Sequence, residues 1–500
     1  MLPSGCLLIQ TIGASSLEAL RRAYRGADRR ADVVELRIDL TRDRDHVARF
    51  DRLIAEPGPP KLVTVRSRQQ GGEARPGERE ALLRRALAGA DYVDLESGGP
   101  DLALLASPGR ARRIVSWHDP AGTPVGLGEI AGRIRAEAGG ALVKIVTQAD
   151  AAGDILTVRD LLRGAAPGTT IAFCMGPRGI PSRVLGPSWG SAAIYAPARG
   201  AEPTAPGQVP IEDLFDLYGV DQIGPRTRLF GVLAHPVGHS LSPRLHNAAI
   251  RALGIDACYL PFEAQTVGEF LPVIRDLRIA GLSVTLPHKE TILPHLDRLD
   301  EVARAVGAVN TVVKSWNSLE GYNTDVEAAI GPLRTLLPLR GARVAILGAG
   351  GAARALAWGL KREAADVVLF NRTPARAAAL ARELGARTLP WARLRRHRCD
   401  VLINTTPVGM TPDTTAAPIP AGWCPAPIVY DIVYNPPVTR LLRQSRQRGA
   451  RTLGGVEMFV AQAEAQFRLF TGQDPPAGVM REALLQALNP RAPKSRPRRP

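Results

Sequence analysis

Of the 64 basic residues in this 500-residue chain, 58 are Arg and only six are Lys: Lys61, Lys144, Lys289, Lys314, Lys361 and Lys494. Arg keeps its proton near neutral pH, whereas only an amine can condense with a carbonyl to form an imine. A Lys retained in an apolar, strand-like setting is therefore a candidate for chemistry. Lys144 in LeuValLysIleVal and Lys289 in SerValThrLeuProHisLys meet that description. The region around Lys289 also carries Ser240, Ser242, Thr285, Asn310, Thr311, Asn323 and Asp325. Hydroxyls and amides both donate and accept, so this set suits a polyhydroxylated carboxylate, and a Lys can pass a proton to a forming alkoxide.

Elements that would position these residues follow from apolar spacing. Strand candidates fall at Leu7–Ile12, Val33–Ile38, Leu62–Val65, Tyr92–Leu95, Arg113–Ser116, Leu142–Val146, Thr170–Phe173 and Ala192–Tyr195. Helical stretches at Leu17–Tyr24, Glu78–Ala88, Ile130–Glu137 and Ile155–Arg163 lie between several of them. This alternation over residues 1–220 predicts a (β/α)8 barrel. Polar residues gather at the C-terminal strand ends (Glu35, Arg37, Arg66, His118, Lys144), the end that carries the active site in such barrels.

The joint AspGlnIleGlyProArgThr (221–227) precedes a second start. A small α/β domain is expected over 228–335, completed by helices in 456–490, with a second α/β domain over 336–455. That domain opens with a strand running into Gly348-Ala349-Gly350-Gly351-Ala352-Ala353, a G-x-G-x-x-A turn at a helix start. Such glycines let backbone approach a pyrophosphate, which the helix N–H groups then bind. After the next strand stand Asn371, Arg372, Thr373 and Arg376, with no Asp or Glu for a ribose 2′-OH. Two guanidiniums and a hydroxyl suit a 2′-phosphate, so NADP is expected over NAD.

Composition excludes other classes. With 45% apolar and 22% charged residues the chain is ordinary globular protein, and about 150 residues per domain gives roughly three folding units. No apolar run approaches the roughly 18 to 20 residues of a membrane span. Five Cys without a C-x-x-C spacing argue against a disulfide framework and against a metal site. The net charge of +16 is dispersed, except for the acid-free block 491–500, which reads as a disordered solubilising tail. A basic enzyme with anionic substrates fits this balance, and neither nucleic acid nor membrane is the expected partner. MetLeuProSerGlyCys has no basic n-region ahead of the first strand, so a cytoplasmic protein is expected.

AlaHisProValGlyHisSerLeuSerPro (234–243), SerValThrLeuProHisLys, GlyAlaValAsnThr (307–311), GlyTyrAsnThrAsp (321–325), GlyAlaGlyGlyAlaAlaArg, AsnArgThr, AsnThrThrProValGlyMet (404–410) and TyrAspIleValTyrAsnPro (430–436) occur in that order. With them, residues 228–490 resemble shikimate dehydrogenase. The resemblance implies NADPH-dependent reduction of the keto group of 3-dehydroshikimate, with Lys289 and Asp325 as the catalytic pair. It implies further that Ser240 and Ser242 hold the substrate carboxylate, that Thr285, Asn310 and Gln462 reach ring hydroxyls, and that Tyr434 lies nearby. Gly455 and Met458 join the Gly348 loop and the Asn371–Thr373 turn around the cofactor.

In the N-terminal half, GluLeuArgIleAsp (35–39), ThrValArgSer (64–67), SerTrpHisAsp (116–119), ValLysIleVal (143–146), SerArg (182–183) and AlaProGlyGln (205–208) resemble type I 3-dehydroquinate dehydratase. That family makes the other's substrate, and the joined halves resemble the bifunctional dehydratase–dehydrogenase family. The implied chemistry is imine formation by Lys144, with His118 as the base that returns a proton to the departing hydroxyl. Arg183 would pair the substrate carboxylate beside Glu35, Arg37 and Arg66, and Thr204 and Gln208 would bond ring hydroxyls. Two positions depart from the family pattern: Gln70 stands where Glu is usual, and Thr204 where Ser is common. An amide holds a hydrogen bond but cannot tune the His118 charge. The alternatives are a quinate/shikimate dehydrogenase with a weakened dehydratase half, and a silent relative acting as a regulator. A homo-oligomer is compatible with either.

Overall fold

The computed structural model describes residues 2, 5–43, 46–74, 77–424 and 426–489; the basic tail lies outside them. The chain up to His239 together with Asp256–Ile279 forms one compact unit, and Ser240–Ile255 with the chain from Ala280 onward forms a second.

In the first unit, Leu7–Gly13 (β1), Val33–Arg37 (β2), Lys61–Thr64 (β3), Tyr92–Glu96 (β4), Arg112–Asp119 (β5), Leu142–Gln148 (β6), Thr170–Met175 (β7) and Ala193–Ala196 (β8) make one sheet. Its order is β7-β6-β5-β4-β3-β2-β1-β8, with parallel pairing throughout. The Ala192 N–H donates to the Thr170 carbonyl at 2.8 Å where the two outer strands begin, so the barrel is nearly closed. Each strand is buried on both faces, as a barrel wall requires. Outward residues Val34, Leu36 and Val63 pack with Leu20, Leu83 and Leu87 of the surrounding helices. Inward residues low in the barrel (Val33, Leu62, Ile114 and Ile171) form an apolar plug.

Because strand side chains alternate, the next inward residue up each strand shares that face. These are Glu35, Thr64, Asp94, Ser116 and Phe173, joined by Lys144, which is level with Ser116 in the β5–β6 register. Five of the six are polar or charged and sit directly above the plug. The strands and the helices Leu17–Arg25, Arg79–Gly89, Leu127–Glu137 and Asp154–Gly164 lie where the periodicity predicts them. Helices at His46–Ile54, Ile180–Leu185 and Ile211–Asp216 were not anticipated, nor was a 3₁₀ helix at Pro100–Ala106 in place of a full helix after β4. The same unit holds Arg228–Ala234 (β9) and Ala257–Glu263 (β10), paired in parallel.

In the second unit, Gly281–Val284 (β11), Arg298–Leu299 (β12), Thr311–Ser315 (β13) and Ser318–Tyr322 (β14) run in the order β11-β13-β14-β12. The β11/β13 and β13/β14 pairs are antiparallel and β14/β12 is parallel. Arg343–Leu347 (β15), Asp366–Phe370 (β16), Arg387–Thr388 (β17), Val401–Asn404 (β18), Ile428–Asp431 (β19) and Arg451–Gly454 (β20) form a second sheet. It is wholly parallel, in the order β17-β16-β15-β18-β19-β20. This is the doubly wound arrangement whose order reverses between its first and fourth strands, here β15 and β18.

The helix Gly455–Thr471 leaves this sheet and returns to the small one, where Gln466 donates to the Asn310 carbonyl at 2.9 Å. Its first residue is packed against backbone: a Cβ at Gly455 would strike the Ile432 carbonyl and the Val433 carbonyl carbon. Backbone cannot rotate aside as a side chain can. Gly455→Ala should therefore cost about 1–3 kcal/mol and lower the melting temperature by roughly 2–12 °C. An unchanged melting curve would show that this junction has room to shift.

Candidate active sites

A cavity of about 290 Å³ opens at the C-terminal end of the barrel, lined among others by Lys144, His118, Arg183, Thr204 and Gln208. Lys144 is 4% exposed. Its Nζ donates to Asp94 Oδ2 at 3.2 Å, lies 3.8 Å from Glu35 Oε1, and stands 4.0 Å from the centre of the Tyr195 ring. Burial lowers the Lys144 pKa from its ordinary value, with Asp94 and Glu35 opposing and Arg66 assisting. Asp94 does not belong to Lys144 alone. It also accepts from Arg66 Nη2 at 2.9 Å and from the Ser116 hydroxyl. Arg66 reaches Glu96 at 3.4 Å and Ser116 at 2.8 Å as well; despite its burial, Asp94 and Glu96 raise its pKa. The permanent cation Arg66 therefore shares the carboxylate that would otherwise hold Lys144 as an ammonium.

His118 stands half-buried at the mouth, its Nδ1 3.0 Å from Gln70 Oε1. An amide oxygen can only accept, so Nδ1 carries the proton and Nε2 is left as the free base. Desolvation first, then Arg66, Lys144 and Arg37, push the His118 pKa well below its ordinary value. Arg37 is neutralised by a bidentate pair with Asp39 at 2.9 and 2.7 Å. Arg183 differs. It is 4% exposed, lies 4.3 Å over the Phe173 ring, donates to the Pro206 carbonyl at 3.3 Å, and meets no carboxylate among the described residues. Desolvation lowers its pKa to about 10. The loop carrying Thr204 and Gln208 is closed on itself, Gln208 Oε1 accepting from the Thr204 N–H at 2.9 Å. Gly207 adopts φ +73, and a Cβ there would strike Gly176 backbone, which fixes this loop over the barrel mouth.

The second unit holds the other amine. Lys289 Nζ donates to Asp325 Oδ2 at 2.6 Å, with side-chain exposures of 29% and 13%. Asp325 opens the helix Asp325–Arg334, and Asn323 Oδ1 accepts from the Asp325 and Val326 N–H groups at 3.1 and 3.3 Å. Asn310 Nδ2 donates to Asp325 Oδ1 at 2.8 Å and to Thr324 Oγ1 at 2.9 Å. Its Oδ1 accepts from Thr311 Oγ1 and the Thr324 N–H. With its side chain so engaged, Asn310 orients Asp325. Ser240 and Ser242 are adjacent at the start of the helix Ser242–Leu253, the Ser242 N–H reaching Ser240 Oγ at 3.4 Å. Gln462 donates to the Phe459 carbonyl at 3.0 Å, and Tyr434 stacks on Phe459 at 4.3 Å, its phenol pKa raised by burial. Thr285 is half-buried just beyond β11.

The Gly348 loop lies at the reversal between β15 and β18. Gly348 has φ +117, and a Cβ there would strike Thr405 Oγ1, whereas Cβ atoms at Gly350 and Gly351 would meet nothing within 4 Å. The loop is thus pressed against β18 on one side and open above the N-terminus of the helix Gly351–Arg362, a cradle that fits a dinucleotide pyrophosphate. Asn371 Nδ2 ties the next turn to the Thr373 carbonyl at 2.9 Å. Arg372 and Arg376 are exposed there with no ion pair among the described residues, which fits a 2′-phosphate. Met458 packs on the core of this sheet, and Gly455 serves the helix junction described above.

The structure also supplies partners that sequence reasoning did not find: Asp94, Glu96 and Ser116 around Arg66, with Asp94 shared by Lys144, and Gln466, which joins Ser283, Asn310 and Thr311. The signal was present in TyrValAspLeuGlu, where alternation puts both acids on one face, and in a second Gln four residues after Gln462 on one helix. Among the described residues no group of three His, Cys, Asp or Glu side chains is placed to hold a metal, and no helix is long and apolar enough to cross a membrane.

Family models match four segments: type I 3-dehydroquinase over residues 8–225, shikimate dehydrogenase substrate binding domain over 232–312, shikimate / quinate 5-dehydrogenase over 333–409, and shikimate 5′-dehydrogenase C-terminal domain over 455–485. The chloroplastic bifunctional 3-dehydroquinate dehydratase/shikimate dehydrogenase of Arabidopsis thaliana is 36% identical over 475 residues, covering 89% of this chain and 78% of that protein. The shikimate dehydrogenase (NADP(+)) of Thermococcus kodakarensis is 44% identical over 267 residues, covering 53% and 98%. A crystal structure of shikimate dehydrogenase in complex with NADP+ superposes with a TM-score of 0.50 at 33% identity, covering 53% of this chain and 97% of that one. By these matches over a barrel and a two-sheet dehydrogenase carried in one polypeptide, the chain belongs to the family of bifunctional 3-dehydroquinate dehydratase/shikimate dehydrogenases.

Proposed function

We propose that the two amines perform consecutive reactions, Lys144 in dehydration of 3-dehydroquinate and Lys289 in reduction of the 3-dehydroshikimate that results. As a member of its family the chain is a lyase and an NADP-dependent oxidoreductase. The carrying observation is the burial of Lys144 with a lowered pKa in one cavity with His118 and an unpaired Arg183.

The free amine of Lys144 attacks the ketone carbon. A C–N bond forms, the carbonyl oxygen leaves as water with one proton from the amine and one from solvent, and an iminium remains. His118 Nε2 removes a proton from the adjacent carbon, and the neighbouring hydroxyl departs with that proton as a second water. Hydrolysis of the iminium then releases product and restores the amine. Arg183 pairs the substrate carboxylate, Thr204 and Gln208 reach ring hydroxyls, and Glu35, Arg37 and Arg66 set the charge around Lys144.

In the second unit, NADPH supplies a hydride when bound. The Gly348–Ala352 loop would cradle its pyrophosphate, and Asn371, Arg372, Thr373 and Arg376 its adenosine end, with Gly455 and Met458 bordering it. Lys289 donates a proton to the ketone oxygen as charge develops there, held in line by Asp325 and, through Asp325, by Asn310. Ser240 and Ser242 take the carboxylate, and Thr285, Gln462 and Tyr434 surround the ring.

The domains this implies are 1–220, 228–335 with 456–490, and 336–455. Free thiols at all five cysteines fit a reducing compartment, and we place the enzyme in the cytoplasm with small anions as its partners.

Borohydride added with dehydroquinate should attach mass at Lys144, and Lys144→Ala should abolish both adduct and dehydration; a folded wild type without adduct would refute the imine. NADPH oxidation with dehydroshikimate should fall at least about 100-fold in Lys289→Ala, the scale of a lost proton donor, while dehydration persists. Full reduction by that variant would remove Lys289 from the mechanism. Because the imidazole must be neutral to act as base and its pKa lies well below the ordinary value of about 6.5, the acidic limb that His118 contributes to the dehydration profile should fall below pH 6.5. Gln70→Glu puts a carboxylate on Nδ1 and should move the acidic limb upward by about 1–3 pH units. Superimposable pH–rate profiles would show that Gln70 does not govern the base.

A further inference from the structure

Tyr195 ends the inward row of β8, its ring centre 4.0 Å from Lys144 Nζ and 5.9 Å from the Phe173 ring. The residue is 5% exposed and lines the cavity, yet its hydroxyl is buried with no hydrogen-bond partner among the described residues. An unpaired buried hydroxyl is destabilising, and Phe would fill the same space without it. Its presence on the wall beside the reactive amine marks a donor meant for something that enters. Burial raises the phenol pKa well above its ordinary value, so the group donates its proton in a hydrogen bond without losing it.

The atom that needs such a donor is fixed by the chemistry of Lys144. As the amine attacks, the C–N bond forms and the C=O π pair moves onto oxygen. That oxygen takes one proton from the attacking nitrogen and a second from solvent and leaves as water, the nitrogen keeping its remaining proton as an iminium; the borrowed proton is returned when the iminium is hydrolysed. We infer that the Tyr195 hydroxyl donates a hydrogen bond to this ketone oxygen during C–N bond formation, aiming the carbonyl at Lys144 and stabilising the charge that gathers on it. Donors placed where charge develops in a water-poor site carry large rate effects. The ring face against Nζ adds a second contribution, since an aromatic face attracts the nitrogen once it is a cation. Tyr195 is thus a further residue of the dehydration site, and the assignment rests on the imine reading above.

The test uses the full chain and two variants, Tyr195→Phe and Tyr195→Leu. Rapid-quench borohydride trapping with dehydroquinate gives the rate of adduct formation at Lys144; shikimate oxidation and thermal melting report the fold. Tyr195→Phe should melt no lower than wild type and oxidise shikimate normally, yet trap about tenfold more slowly or worse, with the loss in kcat and not in KM. Tyr195→Leu, lacking the ring as well, should be slower still. Trapping at the wild-type rate by Tyr195→Phe would overturn the inference, as would a marked fall in its melting temperature, which would mean the hydroxyl has a structural partner. No adduct even in wild type would overturn the imine itself, and this assignment with it.

Discussion

A buried amine needs a carboxylate nearby to be tolerated, but a carboxylate that grips it too well keeps it protonated and inert. The first unit meets this constraint by division. Asp94 receives Arg66 at 2.9 Å, the Ser116 hydroxyl, and only then Lys144 at 3.2 Å. Arg66 cannot surrender its proton, so it takes the firmer share of the Asp94 charge, and desolvation remains the largest influence on Lys144. The arrangement depends on strand register: Ser116 on β5 is level with Lys144 on β6, and Asp94 on β4, level with Ile114, sits one inward position lower and reaches up to both. A one-residue slip in either strand would turn an acid or the amine outward.

The second unit treats the same residue type in the opposite way. Lys289 keeps contact with solvent and holds one carboxylate at 2.6 Å, the arrangement a proton donor requires. Its precision comes from the partner. Asp325 is the first residue of a helix whose N-terminal N–H groups are capped by Asn323, and its free oxygen is bonded by Asn310. Asn310 is held in turn by Gln466 from the helix Gly455–Thr471 through the Asn310 carbonyl. The helix that starts at the Gly455 junction therefore reaches Lys289 through three groups, Gln466, Asn310 and Asp325.

Much of this was legible in the chain. Alternation located all eight barrel strands to within a few residues, because walls buried on both faces leave continuous apolar runs. The scarcity of Lys singled out both amines, and the Gly348 turn announced its sheet because strand, glycines and helix come in immediate succession. What stayed hidden was long-range. Asp94 and Glu96 are an ordinary acidic pair on a short strand until Arg66, thirty residues away or nearly so, is brought over them by the barrel. Gln466 is 156 residues from Asn310. The 3₁₀ turn at Pro100–Ala106 escaped prediction because its apolar residues carry no sustained helical period.

Arg183 shows how a charge imbalance can speak for an absent ligand. Arg37 and Arg66 are each held by carboxylates of the protein, as burying a guanidinium demands. Arg183 is as deeply buried, yet its contacts are an aromatic face and a backbone carbonyl, and its pKa is displaced downward where that of Arg66 is displaced upward. Folding alone would favour a neutral residue at this position. Retention of the cation makes sense if the missing carboxylate arrives with the substrate, so that binding completes an ion pair the fold leaves half-made. The same argument applies to Tyr195, whose hydroxyl lacks an acceptor among the described residues as Arg183 lacks an anion among them. The two unmet groups and the Lys144 amine line one cavity and ask for a carboxylate, an oxygen acceptor and a carbonyl carbon, which a single ketoacid can present together.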